Sequence, residues 1–256
     1  MNNNILNAGF KLFNLNISWY GLIIAVAIVI CVYIAFLICK KKNLSKEMPV
    51  DLAIFALPCA IIGARLYYCI FNGVDSFWQI FEIWKGGLAI YGGIIGGFLG
   101  IVLCCKVKKY SLLQSCDLAA PCLIFGQAIG RIGCYYAGCC YGVETTIQSL
   151  QVFPLSVQIN GVWHLATFFY ESFFNIIGFV ILVLICLKQK NNGTTTSSYL
   201  IFYGVVRCVL EQFRDPAESL TIASTGIRVS QLLSLILVII GAIGLVLIYR
   251  NSKKNV

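Results

Sequence analysis

Residues 17–42 read ISWYGLIIAVAIVICVYIAFLICKKK. Residues 17–39 carry no charge, and Lys40, Lys41 and Lys42 close the run. About 20 consecutive apolar residues are enough to cross the hydrocarbon core of a bilayer as a helix. A run of that length ending in cations reads as a transmembrane helix whose last turn faces the cytoplasm, which leaves the N-terminus outside. Working outward from it, six further apolar blocks follow, at about 52–71, 88–105, 118–136, 165–187, 199–213 and 229–249. Basic clusters follow the first, third, fifth and seventh blocks: the three lysines with Lys46, then Lys106, Lys108 and Lys109, then Lys188 and Lys190, then Arg250, Lys253 and Lys254. Hydropathy and charge therefore agree on an all-α polytopic membrane protein of about seven transmembrane helices, with the N-terminus outside and the C-terminus cytoplasmic.

Composition supports the same class. The 256 residues are 59% hydrophobic and only 11% charged, against about 25% charged in a soluble domain. That excludes a water-soluble enzyme and a disordered chain. The apolar residues run in blocks and do not alternate, which argues against a transmembrane β-barrel. The net charge of +9 sits mostly in the clusters after the spans, so it is a topogenic signal and does not call for a nucleic-acid partner. Residues 1–16 are Asn-rich and lack a basic n-region, and the next apolar block is too long for a signal-peptide core, so no cleavage is expected. The chain reads as one transmembrane domain over residues 1–256. An outer loop spans about 137–163 without clear periodicity, and the polar, Thr-rich stretch 193–198 reads as an inner loop.

Cysteine is abundant, at 13 residues, but Cys31, Cys59, Cys69, Cys104, Cys122 and Cys186 lie inside apolar blocks, where a free thiol behaves as a small hydrophobe. Zinc-type spacing is absent, and neither a metal nor a cofactor is expected. Only Cys134, Cys139 and Cys140 stand in a polar, glycine-rich setting.

Charges within the apolar blocks carry the functional signal. An arginine at the centre of a transmembrane helix costs about 2.5–3.5 kcal/mol on insertion scales, so it needs a partner or a purpose. Arg131, Arg207 and Arg214 all fall toward the outer ends of their spans, and Glu171 lies at a similar depth. Arg207 and Glu211 are spaced i, i+4 and share a helix face; Arg214 lies a turn further on, and Asp215-Pro216 is expected to end the helix. Two readings stay open: an ion-pair network that locks helices together, or a cationic pocket open to the outer leaflet and suited to a lipid phosphate. Gly86, Gly87, Gly92, Gly93, Gly96 and Gly97 strip side chains from the third block. That reads either as close helix packing or as re-entrant backbone lining a polar cavity.

The stretch from Gly130 through Arg131, Gly133, Cys134, Cys139 and Cys140 to Gly142 resembles the signature of the bacterial phosphatidylglycerol–prolipoprotein diacylglyceryl transferases, in a cysteine-variant form. That family's pattern runs roughly G-R-x-G-N-F-x-N-x-E-x-x-G. Further similarities follow in order along nearly the whole chain: Trp19-Tyr20-Gly21, Gly63-Ala64-Arg65-Leu66, Trp84-Lys85-Gly86-Gly87 through Tyr91-Gly92-Gly93, Asp117 with Pro121, and Tyr170-Glu171. Tyr203-Gly204 with Arg207, Glu211, Arg214 and Pro216, and finally Gln231 with Ser234, complete the set. The resemblance implies seven spans in a bacterial plasma membrane. It also implies transfer of a diacylglyceryl group from phosphatidylglycerol to the lipobox cysteine of a secreted preprolipoprotein, recognised through its signal peptide. It further implies that Arg131 and Arg207 clamp the phosphate, with Tyr91 and Tyr20 as further catalytic groups. Gly130, Gly133 and Gly142 would line the lipid site, and Glu211, Arg214 and Glu171 would orient the arginines.

The chain departs from that pattern at informative places. The family's histidine in the Gly-rich segment is Tyr91, its signature Asn is Cys134, its second Asn is Ala137 and its Glu is Cys139. The only histidine, His164, is displaced by one position from the H-P-x-Q run; it reads either as an outer-surface residue or as a substitute base. Cys134 and Cys139 read either as small fillers or as a redox or acyl-accepting pair. A phenol with a pKa near 10 is a poor base at neutral pH, so Tyr91 is expected to hydrogen-bond substrate, and the sequence assigns no general base. Two alternatives to the standard activity stay open: a related membrane transferase with another thiol or hydroxyl acceptor, and a lipid-binding paralogue without catalysis.

Overall fold

The computed structural model describes residues 9–12, 15–73, 77–81, 87–137, 140–215 and 228–254. The chain is mostly helical. Its helices are α1 (Trp19–Lys42), α2 (Met48–Asn72), α3 (Ile90–Lys108), α4 (Leu112–Ala137), α5 (Thr167–Lys188), α6 (Thr194–Leu210) and α7 (Val229–Lys254). Each corresponds to an apolar block of the sequence. Among the described residues, all except α6 are long and apolar enough to cross a membrane. α6 has 17 residues, about 26 Å at 1.5 Å per residue, and a 3₁₀ turn (Glu211–Phe213) continues it directly. Pro49 in the first turn of α2 fits a position whose N–H has no helical partner.

Two compact units divide the chain: residues 1–34 with 119–256, and residues 35–118. In the second of these, α2 and α3 pack backbone to backbone. A Cβ added to Gly63 would strike the carbonyl of Gly92, one added to Gly92 the carbonyl of Gly63, and one added to Gly96 the carbonyl of Cys59. Close approach between helices thus explains these glycines, and α3 runs as regular helix through Gly92, Gly93, Gly96 and Gly97. At the lysine-bearing end of this unit, Asp51 pairs with Lys108 at 2.9 Å and accepts from the Tyr110 hydroxyl at 2.8 Å.

The first unit departs from the sequence reading in two places. The stretch expected as an inner loop at 193–198 is instead the start of α6. Gly193 takes a left-handed conformation (φ 94°), and the helix begins at the next residue. Hydroxyl side chains make this possible by bonding to nearby backbone: Thr194 Oγ1 donates to Asn191 O and Ser198 Oγ to Thr194 O, both at 2.9 Å. Polarity alone therefore misread a buried helical turn, in which Thr194, Thr195 and Ser197 are all inaccessible.

The outer loop is also more ordered than its lack of periodicity implied. β1 (Gly9–Leu12) and β2 (Leu15–Ser18) form one antiparallel hairpin before α1; β3 (Ser156–Ile159) and β4 (Val162–Leu165) form a second within the loop. The second turns through Asn160 (φ 49°) and Gly161 (φ 87°), the pair that a two-residue turn with both φ positive selects. An extended segment from Tyr141 to Thr145 lies between β4 and the end of the 3₁₀ turn. Gly142 N donates to Leu165 O (2.7 Å), Thr145 N to Trp163 O (2.8 Å) and Val143 N to Phe213 O (2.9 Å). Backbone hydrogen bonds therefore tie the chain after α4 to the chain after α6.

Candidate active site

Three helices of the first unit each bring one charged residue to a common point. α4 contributes Arg131, α5 contributes Glu171 and α6 contributes Arg207. Arg131 Nη2 lies 2.8 Å from Glu171 Oε1, an ion pair outside hydrogen-bonding angles. Arg207 Nη1 donates to Glu171 Oε2 at 2.9 Å. One carboxylate thus holds two guanidinium groups, one at each oxygen.

A second acid repeats the arrangement a turn away. Arg207 Nη2 is 2.9 Å from Glu211 Oε2 through the i, i+4 spacing, and Arg214 Nη1 is 3.7 Å from the same oxygen. Beyond Leu210 the helix tightens into the 3₁₀ turn, where residues i and i+3 eclipse, so Arg214 stays on the face of Glu211. Glu171 and Glu211 are 3% and 2% exposed. Burial at that depth is tolerable only because each carboxylate meets two cations.

These five residues line a small cavity together with Cys140, Thr167 and Leu210. Three arginines face two glutamates, so the group carries one positive charge in excess. A guanidinium offers five donors in a planar fork, and the two glutamates occupy only some of them. The arrangement is suited to an anion with several oxygens held between Arg131 and Arg207. Tyr203, one turn before Arg207 on α6, interacts electrostatically with Glu171, Arg207 and Arg131 and stacks its ring on Tyr199 at 5.8 Å. Tyr203 stands in the sequence within the Tyr203-Gly204 motif, which by itself implies no role for it. Its i, i+4 spacing to Arg207 was the available signal.

The remaining sequence-selected residues fall in different places. Cys134 Sγ is 3.9 Å from Arg131 Nη1, a loose contact. Gly142 is explained by packing: a Cβ there would lie 2.5 Å from Phe213 O, 2.8 Å from Thr167 Cγ2 and 2.9 Å from Leu165 Cβ. A Cβ on Gly130 would meet nothing within 4 Å. Gly133 lies half-buried on α4, three residues before its last turn closes on Tyr136 and Ala137. Tyr91, near the start of α3 in the other unit, is half-exposed and packs its ring against Tyr67 at 6.2 Å. Cys139, Pro216 and the side chain of Tyr20 lie outside the described residues.

Two residues that the sequence left ambiguous acquire definite surroundings. His164 is no freely exposed residue: Nδ1 is 3.1 Å from Gly142 O and 3.8 Å from Asp215 Oδ2, with the Tyr141 ring 4.7 Å away. It sits at the seam between β4, the Tyr141–Thr145 segment and the chain after α6. Arg65 on α2 is 7% exposed. Its Nε donates to Ile80 O (3.2 Å), its Nη1 to Gly87 O (3.1 Å), and its guanidinium lies over the Tyr68 ring.

Comparison with known proteins gives the family of the chain. A family model described as prolipoprotein diacylglyceryl transferase matches residues 7–247. The chain is 38% identical over 254 residues to phosphatidylglycerol–prolipoprotein diacylglyceryl transferase 1 of Clostridium perfringens, covering 96% of this chain and 95% of that protein. It is 40% identical to the phosphatidylglycerol–prolipoprotein diacylglyceryl transferase of Listeria welshimeri, covering 94% of this chain and 88% of the relative. The protein of the same name from Finegoldia magna is 37% identical, with 91% and 92% covered.

Proposed function

The chain belongs to the prolipoprotein diacylglyceryl transferase family, and from that premise we propose that it transfers the diacylglyceryl group of phosphatidylglycerol to the lipobox cysteine of a prolipoprotein. One observation carries the assignment of the site: Arg131 and Arg207, from separate helices, meet on the single carboxylate of Glu171. Sharing a carboxylate sets the two guanidinium groups at a separation that one phosphate can bridge.

In this reading the phosphate of the donor lipid lies between Arg131 and Arg207, with its acyl chains directed into the bilayer. The acceptor sulfur attacks the glyceryl methylene carbon, the carbon–oxygen bond to phosphate breaks, and glycerol phosphate leaves with the electron pair. Positioned cations stabilise the charge that develops on the leaving oxygen, usually the largest single contribution to such a rate. Glu171, Glu211 and Arg214 act by orienting the clamp. Tyr20 supplies a hydrogen bond to substrate, and Gly130 and Gly133 keep one face of α4 open to the lipid. No cofactor takes part.

The membrane arrangement is inferred with it. α6 and its 3₁₀ turn together reach about 31 Å and provide the seventh crossing of a core about 30 Å thick. The lysine clusters place the N-terminus outside and the C-terminus in the cytoplasm of a bacterial plasma membrane, with the arginine cluster at the outer leaflet, where secreted precursors emerge. The test is a reconstitution: purified protein in vesicles containing phosphatidylglycerol, presented with a lipobox signal peptide. The expected result is a diacylglyceryl mass increment on the peptide cysteine and stoichiometric glycerol phosphate. Lipid binding without either product would defeat the proposal. Complementation of a strain lacking its own transferase gives the cellular counterpart.

A further inference from the structure

The acceptor thiol must lose a proton during transfer, and the carboxylates of the cavity are poorly placed to take it. Glu171 has one oxygen against Arg131 and the other against Arg207. Glu211 lies against Arg207 and Arg214. Both acids are thus already engaged by guanidinium groups. Among the described residues that line the cavity, the remaining titratable side chain besides these acids and the arginines is Cys140.

Cys140 is held at both ends. Its Sγ accepts a hydrogen bond from Arg214 Nη2 at 3.2 Å. Its carbonyl accepts one from Thr167 Oγ1 at 2.8 Å, and its backbone adopts the left-handed region at φ 60°. Among the described residues, charged and titratable groups face this position from several elements: Arg131 and Cys134 from α4, Glu171 from α5, Arg207 from α6, Glu211 and Arg214 from the 3₁₀ turn. His164 and Asp215 flank it across the Tyr141–Thr145 segment. Three arginines against two glutamates leave the lining with one positive charge in excess, the electropositive kind of setting in which reactive cysteines are found.

We propose that Cys140, paired with Arg214, is the proton acceptor of the transfer reaction. The assignment rests on the transferase reading above. The Cys140 thiolate takes the proton from the acceptor thiol, forming one S–H bond as the other breaks. The freed acceptor sulfur attacks the glyceryl methylene, and the departing phosphate oxygen carries away the electron pair of the broken carbon–oxygen bond. Cys140 then returns its proton to the released phosphate monoester, and the thiolate is regenerated. Donor and acceptor of the proton are both sulfur, and Arg214 beside Cys140 keeps the acceptor deprotonated between turnovers.

The vesicle assay tests this through its pH dependence. Cys140→Ser should lower kcat about a hundredfold or more at neutral pH, leave the KM for lipid unchanged, and respond to rising pH as the peptide's own thiol ionises. Cys140→Asp, which restores a base, should recover part of the rate. In the unsubstituted protein, iodoacetamide labelling read at Cys140 by tandem mass spectrometry should reach half its maximal rate at lower pH than a free peptide cysteine, and Arg214→Gln should move that midpoint upward. The assignment is overturned if Cys140→Ser keeps the wild-type rate and pH profile, if Cys140 labels like a free cysteine, or if a diacylglyceryl adduct is trapped on Cys140 itself. A wild-type protein that yields no product at any pH would sink the transferase reading instead, while the labelling profile still decides the state of the thiol.

Discussion

Arg65 and the pair Arg131 and Arg207 are all buried cations within apolar helices, yet their surroundings differ in kind. Arg65 directs its donors to the backbone carbonyls of Ile80 and Gly87 and lays its plane over Tyr68. Carbonyl oxygens fix a guanidinium in place, and in return it fixes the segment that bears them. Arg131 and Arg207 direct theirs to a carboxylate that they share. A cation held by a shared acid is oriented by it, and in the reading proposed above its other donors serve the phosphate. Depth and burial alone do not distinguish Arg65 from this pair; the shared carboxylate does.

The largest test of this contrast is Glu171→Leu. Removing the common partner of two buried cations should cost about 3–5 kcal/mol of stability, visible as a collapse of the thermal transition in detergent together with loss of turnover. A well-folded Glu171→Leu protein with intact lipid affinity would mean the acid does not hold the clamp. Arg207→Lys comes next. It keeps the charge but loses the planar fork, so turnover should fall about a hundred- to a thousandfold while the thermal midpoint barely moves. Arg65→Gln should show the opposite profile. Loss of charged hydrogen bonds to two carbonyls is worth about 1.5–3 kcal/mol each at most, so the melting temperature drops and kcat/KM per folded molecule holds. Turnover that fell in Arg65→Gln as far as in Arg207→Lys would erase the distinction. The smallest change is expected for Glu211→Gln. It retains an oxygen for Arg207 and should lose about 1–2 kcal/mol, weakening lipid binding before chemistry.

Much of this was legible before any coordinates. The transmembrane helices follow from the apolar blocks because a bilayer demands a minimum apolar length, and their ends fall within a few residues of the lysine clusters. The clustering of Arg131, Glu171, Arg207, Glu211 and Arg214 followed from cost: isolated, none of them belongs in an apolar span. Other features were harder to read. The Asn160-Gly161 turn was present as a dipeptide signal, but the strands on either side are only four residues long and give periodicity too little length to register. The polar start of α6 was missed because hydroxyls that bond to their own helix resemble loop residues in one dimension. The partnership of Cys140 with Arg214 depends on two chain segments 74 residues apart being tied side by side, which no local pattern encodes.

The shared carboxylate also bears on how the protein is made. Arg131, Glu171 and Arg207 lie on three helices that leave the ribosome one after another. Until α5 arrives, α4 carries an uncompensated cation, with an insertion penalty of up to about 2.5–3.5 kcal/mol. Until α6 follows, Glu171 has satisfied only one of its two partners. α4 is therefore best retained at the translocation channel until its successors emerge, so these helices enter the lipid as a group. Insertion of these three helices is thereby expected to be cooperative, for the same electrostatic reason that they share Glu171.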